Sequence, residues 1–231
     1  MTSAIIVAAG SSRRMGFDKL AADLEGKPVV AHAIAAFEKS REIDEILIVT
    51  REDRIGEMRA LVLSEKLKKV VRIIAGGEER YLSVWEGLRA VSATAAYVAI
   101  HDGARPLVTS RMIRECLSLA KKTGAACLAT PIPETVKRAT ADGIVKGSVD
   151  RAGLWAMQTP QIFSTPLIVQ AYAALLACNE PVTDEVSAVQ RSGKPISLLR
   201  NEDWNIKITF PRDLEMARQV LQLRAAKRKK K

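Results

Sequence analysis

Short aliphatic runs alternate with amphipathic segments along most of this chain, and that order leaves few folds open. Ile5 to Ala9, Glu45 to Thr50, Val70 to Ala75, Tyr97 to Ile100 and Ala126 to Pro131 are short and largely apolar, as strands buried in a parallel sheet are. Helical spacing lies between them. Val29, Val30, Ala33, Ile34 and Phe37 recur after the turn Glu25 to Pro28, with Pro28 suited to an early helical position. Further helices are expected at about Ile55 to Leu67, around Ser83, Val84, Gly87 and Leu88, and from Ser110 to Lys122, closed by Gly124. Strand, helix, strand, helix predicts an α/β fold: a doubly wound, mostly parallel twisted sheet, with ligands outside the carboxyl ends of its strands.

Periodicity changes past Pro131. Thr135 to Thr140, the turn Ala141-Asp142-Gly143 and Ile144 to Val149 alternate as a β-hairpin does. A polar two-stranded excursion is marginal alone, so an arm at about 135–157 that finds a partner surface is expected. Gln158 to Phe163 reads as a returning strand, followed by a helix from about Thr165 to Ala177. Thr183 with Asp184 and Glu185 has the form of a helix start. Ile196 to Arg200 and Asn205 to Thr209 read as two late strands, and Pro211 opens a last amphipathic helix. No repeat or low-complexity linker divides the chain, which predicts one domain over 1–223 with a basic tail at 224–231.

The strand ends carry the chemistry. Ala8, Ala9 and Gly10 close the first run, and Arg13, Arg14, Gly16 and Lys19 follow within ten residues. Small residues admit an anion close to backbone N–H groups, and Arg and Lys add formal charge. A polyphosphate cradle is the functional reading; a strand-to-helix loop with solvated basic residues is the plain one. Neither G-x-G-x-x-G nor G-x-x-x-x-G-K-[ST] occurs. Gly76-Gly77-Glu78-Glu79-Arg80 follows the third run, exposing backbone for a base edge or ribose, or making a tight turn capped by Glu side chains. Asp102 ends the fourth, with Arg105 three residues on. That pair reaches a metal or substrate, or shapes the turn as a salt bridge.

Composition bounds the remaining classes. The net charge is +10, yet six basic residues crowd Arg224 to Lys231 with no acid among them, the pattern of a solvated tail. No nucleic-acid-binding motif accompanies it, so no nucleic-acid partner is expected. Cys116, Cys127 and Cys178 are odd in number and lack C-x-x-C spacing, which favours reduced thiols over a disulfide framework or zinc site. No run approaches the roughly 20 apolar residues that cross a bilayer, and no secretory leader pattern opens the chain. A cytoplasmic protein without membrane association is expected.

Taken together these stretches resemble the 2-C-methyl-D-erythritol 4-phosphate cytidylyltransferase family of the non-mevalonate isoprenoid pathway. The resemblance runs from residue 4 to about 220. It rests on A-A-G-x-x-x-R-M at 8–15, G-G-E-E-R at 76–80, H-D-G-A-R-P at 101–106 and T-V-K-R at 135–138. V-D-R-x-G-L-W at 149–155, Q-T-P-Q-I-F at 158–163, T-D-E at 183–185 and N-I-K-I-T at 205–209 complete it. Each motif is weak; eight in order are specific. One departure stands out: where the family has a longer loop before a Pro-Lys pair, this chain has a short one reading Asp18-Lys19.

The resemblance implies a Rossmann-like nucleotidyltransferase that joins CTP to methylerythritol 4-phosphate with release of pyrophosphate and with Mg²⁺. It assigns Arg14 and Lys19 to charge on the α-phosphate and leaving pyrophosphate. Arg151 and Lys207 hold the attacking phosphate, joined by Thr135, Asp102 and Arg105. Ala8, Ala9, Gly10, Gly77, Glu78 and Ser83 take the nucleotide. Mg²⁺ is expected mainly on the CTP phosphates, with Asp102 the candidate protein ligand. The family's arm interlocks two subunits, so a homodimer is implied, with Arg151 serving the partner's site.

Residue chemistry agrees with that assignment. A phosphate monoester is already ionised near neutral pH, its second pKa being about 6, so it needs no side-chain base to attack. Catalysis then rests on positioning and charge stabilisation. The alternatives are a ribitol-phosphate or other sugar-phosphate cytidylyltransferase and a non-catalytic nucleotide-binding protein. A nucleic-acid-binding protein using the basic tail is a third.

Overall fold

The structure is a computed structural model and describes residues 1–10, 15–178, 182 and 184–229. Strand β1 (Thr2–Ala8) is followed by a two-residue ladder, β2 (Asp23–Leu24) against β3 (Lys27–Pro28), and by helix α1 (Val29–Lys39). Next come β4 (Glu45–Thr50), a 3-10 turn at Glu52–Arg54, α2 (Ile55–Ser64), β5 (Val70–Ala75) and α3 (Arg80–Ala90). Then β6 (Tyr97–Asp102), α4 (Ser110–Thr123) and β7 (Ala125–Pro131) lead to the hairpin β8 (Val136–Ala139) and β9 (Val145–Val149). β10 (Trp155–Ser164), α5 (Thr165–Cys178), α6 (Glu185–Arg191), β11 (Ser197–Arg200) and α7 (Pro211–Lys229) complete the chain.

Seven strands form the main sheet in the order β11-β7-β10-β6-β1-β4-β5. Only β10 runs against its neighbours; the β1–β4, β1–β6, β4–β5 and β11–β7 ladders are all parallel. The chain leaves β1 toward β4 and β5, then returns to lay β6 on the other side of β1. Strand order therefore reverses at β1 and β6, and a crevice opens beyond their carboxyl ends.

Helices cover both faces because the central strands are apolar on both sides. On one face Ile34, Phe37, Met58, Ile113 and Leu117 pack on Ile6 and Ile48. On the other, Val84, Leu88, Ile168, Tyr172 and Val189 pack on Ile5 and Ile100. Each fully buried Leu or Ile of this kind contributes roughly 1.5–3 kcal/mol relative to an exposed one. A third cluster sets α7 against Leu24, Val29, Leu107 and Ile208, through Ala217 and Val220. The doubly wound, mostly parallel architecture with its hairpin matches the expectation.

Several local expectations change. Between Leu20 and the turn at Glu25 only Asp23–Leu24 forms a strand. Pro28 caps α1 from outside, at φ −56° and ψ 143°, rather than entering it. α2 stops at Ser64, ahead of Lys66 in the left-handed region at φ 53°. Asn205 to Thr209 is not a strand. Its one backbone bond to the neighbouring loop is Ile208 N–H to Ala104 O at 2.8 Å, and side chains do the rest of the pinning. The basic segment expected as a free tail from 224 instead continues α7 to Lys229. Arg224 is held there, donating to Leu107 O at 2.7 Å and Trp204 O at 3.0 Å.

Candidate active site

The crevice beyond β1 and β6 is a cavity of about 700 Å³. Three strand ends build it. Ala9 and Gly10 leave β1, Gly76 to Arg80 leave β5, and Asp102 terminates β6. Lys19 and Lys207 reach it from the segment after β1 and the segment before α7. Of the residues singled out from sequence, Ala9, Gly10, Lys19, Gly77, Glu78, Ser83, Asp102 and Lys207 line this one space.

The glycines are there for different reasons. A Cβ on Gly76 would lie 2.6 Å from Ser83 Oγ and 2.7 Å from Ala9 Cβ, so the β1 and β5 loops can touch only through a bare backbone. At Gly77 a Cβ would meet Leu82 Cβ at 2.5 Å. Gly10 is the reverse case: a Cβ there meets no protein atom within 4 Å. What its lack of a side chain preserves is room in the cavity. Ser83 is buried in α3, and its hydroxyl lies 3.2 Å from both Gly77 O and Glu79 O, bracing the glycine loop.

Asp102 is the electrostatic centre. Its Oδ2 accepts from Lys207 Nζ at 2.7 Å, and its Oδ1 accepts from Arg80 Nε at 3.0 Å. Burial pushes this carboxyl up, but the Arg80, Lys207 and Arg105 charges outweigh it and hold Asp102 well below the usual carboxylate range. It is a permanent anion at working pH. Arg80 also grips Glu185, Nη1 to Oε1 at 2.6 Å and Nη2 to Oε2 at 3.1 Å. Burial alone would lower the Arg80 pKa, yet Glu185 and Asp102 raise it above its ordinary value. Tyr172 completes the chain, its hydroxyl donating to Glu185 Oε1 at 3.2 Å.

Sequence reasoning missed this Arg80–Glu185 bracket, although both residues stood inside quoted motifs. Asp184 is the cap of α6, its Oδ1 accepting from Ser187 N–H at 2.9 Å, which turns Glu185 fully inward. Thr183, read as the helix start, lies outside the described residues, as does Arg14.

His101 and Thr159 set the backbone under Asp102. The Asp102 N–H donates to Thr159 Oγ1 at 3.1 Å, and that hydroxyl lies 2.9 Å from His101 Nδ1. His101 Nε2 faces Arg105 O at 3.2 Å; a carbonyl only accepts, so Nε2 carries the proton and Nδ1 accepts from Thr159. Burial pushes His101 down to about 4, leaving it neutral.

Arg105 does not line the cavity. Its guanidinium donates to Asn205 O at 2.7 Å and Met157 O at 3.3 Å, while Nε stands 3.9 Å from Asp102 Oδ2. Within one chain it fixes the segment that carries Lys207. Ala8 is buried and lines a smaller space behind the loop. Thr135 and Arg151 are exposed at the base of the hairpin and do not line this cavity, and Arg151 Nη1 donates to Pro133 O.

The arrangement suits an anionic ligand bearing several phosphates, between a glycine-rich wall and two lysines. Comparison with known proteins agrees. The 2-C-methyl-D-erythritol 4-phosphate cytidylyltransferase family matches residues 2–223. The enzyme of that name from Lachnospira eligens is 40% identical over 222 residues, covering 94% of this chain and 97% of its own. Its counterpart in Dehalococcoides mccartyi is 42% identical over 219 residues, covering 94% and 95%. The crystal structure of 4-diphosphocytidyl-2C-methyl-D-erythritol synthase from Anaerococcus prevotii superposes with a TM-score of 0.84 at 31% identity, over 96% of this chain and 98% of the other. Placed beside a crevice built from the same motifs, these likenesses establish that the chain belongs to the 2-C-methyl-D-erythritol 4-phosphate cytidylyltransferase family.

Proposed function

We propose that this protein transfers the cytidylyl group of CTP to 2-C-methyl-D-erythritol 4-phosphate, giving 4-diphosphocytidyl-2-C-methyl-D-erythritol and pyrophosphate for isoprenoid precursor synthesis. The observation that carries the reading is the crevice itself, where the β1 and β5 glycine loops face the Lys207–Asp102 pair. A phosphate oxygen of the sugar phosphate attacks the α-phosphorus of CTP in line. The bond from that phosphorus to the α,β-bridging oxygen breaks, and pyrophosphate leaves with the electron pair.

The chain's work is charge and placement. Ala9, Gly10, Gly77, Glu78 and Ser83 hold the nucleotide, with Gly10 leaving room for it and Ala8 backing their loop from behind. Arg14 and Lys19 stabilise charge at the α-phosphate and leaving group. Lys207 holds the attacking phosphate. Asp102 keeps Lys207 charged and in place, and Arg105 secures the Lys207 segment. Mg²⁺ uses few protein oxygens and many phosphate oxygens, which suits a cavity whose central carboxylate, Asp102, is ionised but already shared by two cations. When bound it neutralises charge on the triphosphate, and Asp102 is the side chain that would reach it.

Thr135 and Arg151 enter the reading through a homodimer. The hairpin exposes Ile144 and Val145 by 59% and 61% and needs a surface to rest on. A second copy supplies it, and Arg151 then completes the partner's site. No helix among the described residues is long and apolar enough to cross a membrane, in keeping with a cytoplasmic enzyme.

The deciding experiment is pyrophosphate release with CTP against the other nucleoside triphosphates, crossed with methylerythritol 4-phosphate and ribitol 5-phosphate. CTP with methylerythritol 4-phosphate should turn over fastest. Release with ribitol 5-phosphate alone would move the protein to another sugar-phosphate cytidylyltransferase.

A further inference from the structure

Lys19 is tied down on both sides, and its neighbour Asp18 does the tying. One Asp18 oxygen, Oδ1, accepts the Leu20 N–H at 2.9 Å, a local turn that spans Lys19. The other, Oδ2, pairs with Arg54 Nη1 at the entrance to α2. Leu20 is buried, and its carbonyl accepts the Val30 N–H of α1 at 3.2 Å. Arg54 is fixed in turn, Nε donating to Glu57 Oε2 at 2.7 Å and its own N–H to Arg51 O at 3.0 Å. Only 26% of the Asp18 side chain and 18% of the Arg54 side chain are exposed, so the pair is better shielded than a surface salt bridge.

The two consecutive side chains go to opposite sides of one wall. Lys19 lines the large cavity, while Asp18 and Arg54 line a smaller one of about 90 Å³ behind it. Gly10, Leu20 and Arg51 line both spaces and form the partition. An unpaired carboxylate next to Lys19 would repel a triphosphate. Arg54 cancels that charge and draws it to the back of the wall.

We propose that Asp18 and Arg54 form a positioning clasp that aims Lys19 into the cavity, a role that rests on the function proposed above for Lys19. Neither touches substrate; both act through the backbone of the Lys19 loop.

The test is steady-state pyrophosphate release by the full-length protein, with melting temperatures measured alongside. Asp18→Asn keeps the acceptor for Leu20 N–H and loses the charge and the second acceptor that face Arg54; Arg54→Met keeps most of the stem. Each should lower kcat/KM for CTP about 10-fold, leave KM for methylerythritol 4-phosphate unchanged, and melt near the wild type. The double variant should be no slower than either single, and Arg54→Lys should recover part of the loss. In a Lys19→Met background, Asp18→Asn should add nothing. If Asp18→Asn and Arg54→Met match the wild type while Lys19→Met is slow, the clasp is overturned and the role of Lys19 stands. An equal further loss on the Lys19→Met background also overturns it. Wild-type turnover by Lys19→Met itself would refute the Lys19 assignment, and the clasp with it.

Discussion

Lys207 and Asp102 lie 105 residues apart in the chain and meet as a hydrogen-bonded ion pair, Nζ to Oδ2 at 2.7 Å. Asp102 is nearly buried, whereas Lys207 keeps about a third of its side chain exposed toward the cavity. The anion is therefore fixed and the cation is the part that can turn to a ligand. The other Asp102 oxygen is held by Arg80, which Glu185 holds in turn, so a strand end, a helix start and an irregular segment share one network. An incoming phosphate can share Lys207 without leaving Asp102 unpaired.

Lys19→Ala should fold normally and lose at least about 100-fold in turnover, because one charge contact to a developing anion contributes on the order of 3 kcal/mol. Pyrophosphate release alongside a thermal melt separates the two effects. Turnover near the wild type would remove Lys19 from the mechanism.

Two glycine-to-alanine changes should behave oppositely. At Gly10 the added methyl meets no protein atom, so stability should hold while KM for CTP rises several-fold. At Gly76 the methyl would sit 2.6 Å from Ser83 Oγ and 2.7 Å from Ala9 Cβ, so the loops must part. A stability loss of about 1–3 kcal/mol is expected there, read by chemical denaturation.

Acid should weaken the fold in two steps. Folded His101 resists protonation down to about 4, whereas the unfolded chain takes up that proton below about 6.5. The unfolded state thus binds the extra proton first, and stability falls as pH drops from about 6.5 to 4, by up to about 3 kcal/mol. Asp102, held ionised well below its usual range, adds a contribution present above about 4 and lost as pH falls further. His101→Gln should flatten the first limb in denaturation curves taken across that range and leave the second.

Removing Glu185 strands Arg80. With its bidentate partner gone, the half-buried guanidinium keeps only Asp102, and Tyr172 loses its acceptor. Glu185→Ala should destabilise by about 3 kcal/mol, with a smaller loss for Glu185→Gln, which retains an acceptor. Equal stability of Glu185→Ala and the wild type would show the bracket to be energetically idle.

If Arg151 completes the partner's site, two dead variants should rescue each other. Mixing Arg151→Met with Lys207→Met under subunit exchange makes heterodimers with one intact site of two, and should recover roughly a quarter of wild-type turnover. No recovery despite demonstrated exchange would place Arg151 in its own chain's site.

The doubly wound order, the glycine loops at the β1 and β5 ends and the hairpin were all legible in the residues, because each rests on local periodicity or turn chemistry. Ser83, Val84, Gly87 and Leu88, read as one helical face, are the residues that α3 buries. Runs such as Glu45 to Thr50 specify burial on both faces wherever the strand goes. Partner choice is another matter. Arg80 with Glu185, Lys207 with Asp102 and Asp18 with Arg54 have no periodic signature, since each pair joins segments that meet only after the sheet is assembled. The segment from Asn205 to Thr209 alternates like a strand, yet the Arg105 and Asn205 side-chain bonds, and not a ladder, decide its path. Local pattern set which residues are buried and where the chain turns; only long-range packing in three dimensions decided which charges face each other and which are left to meet a ligand.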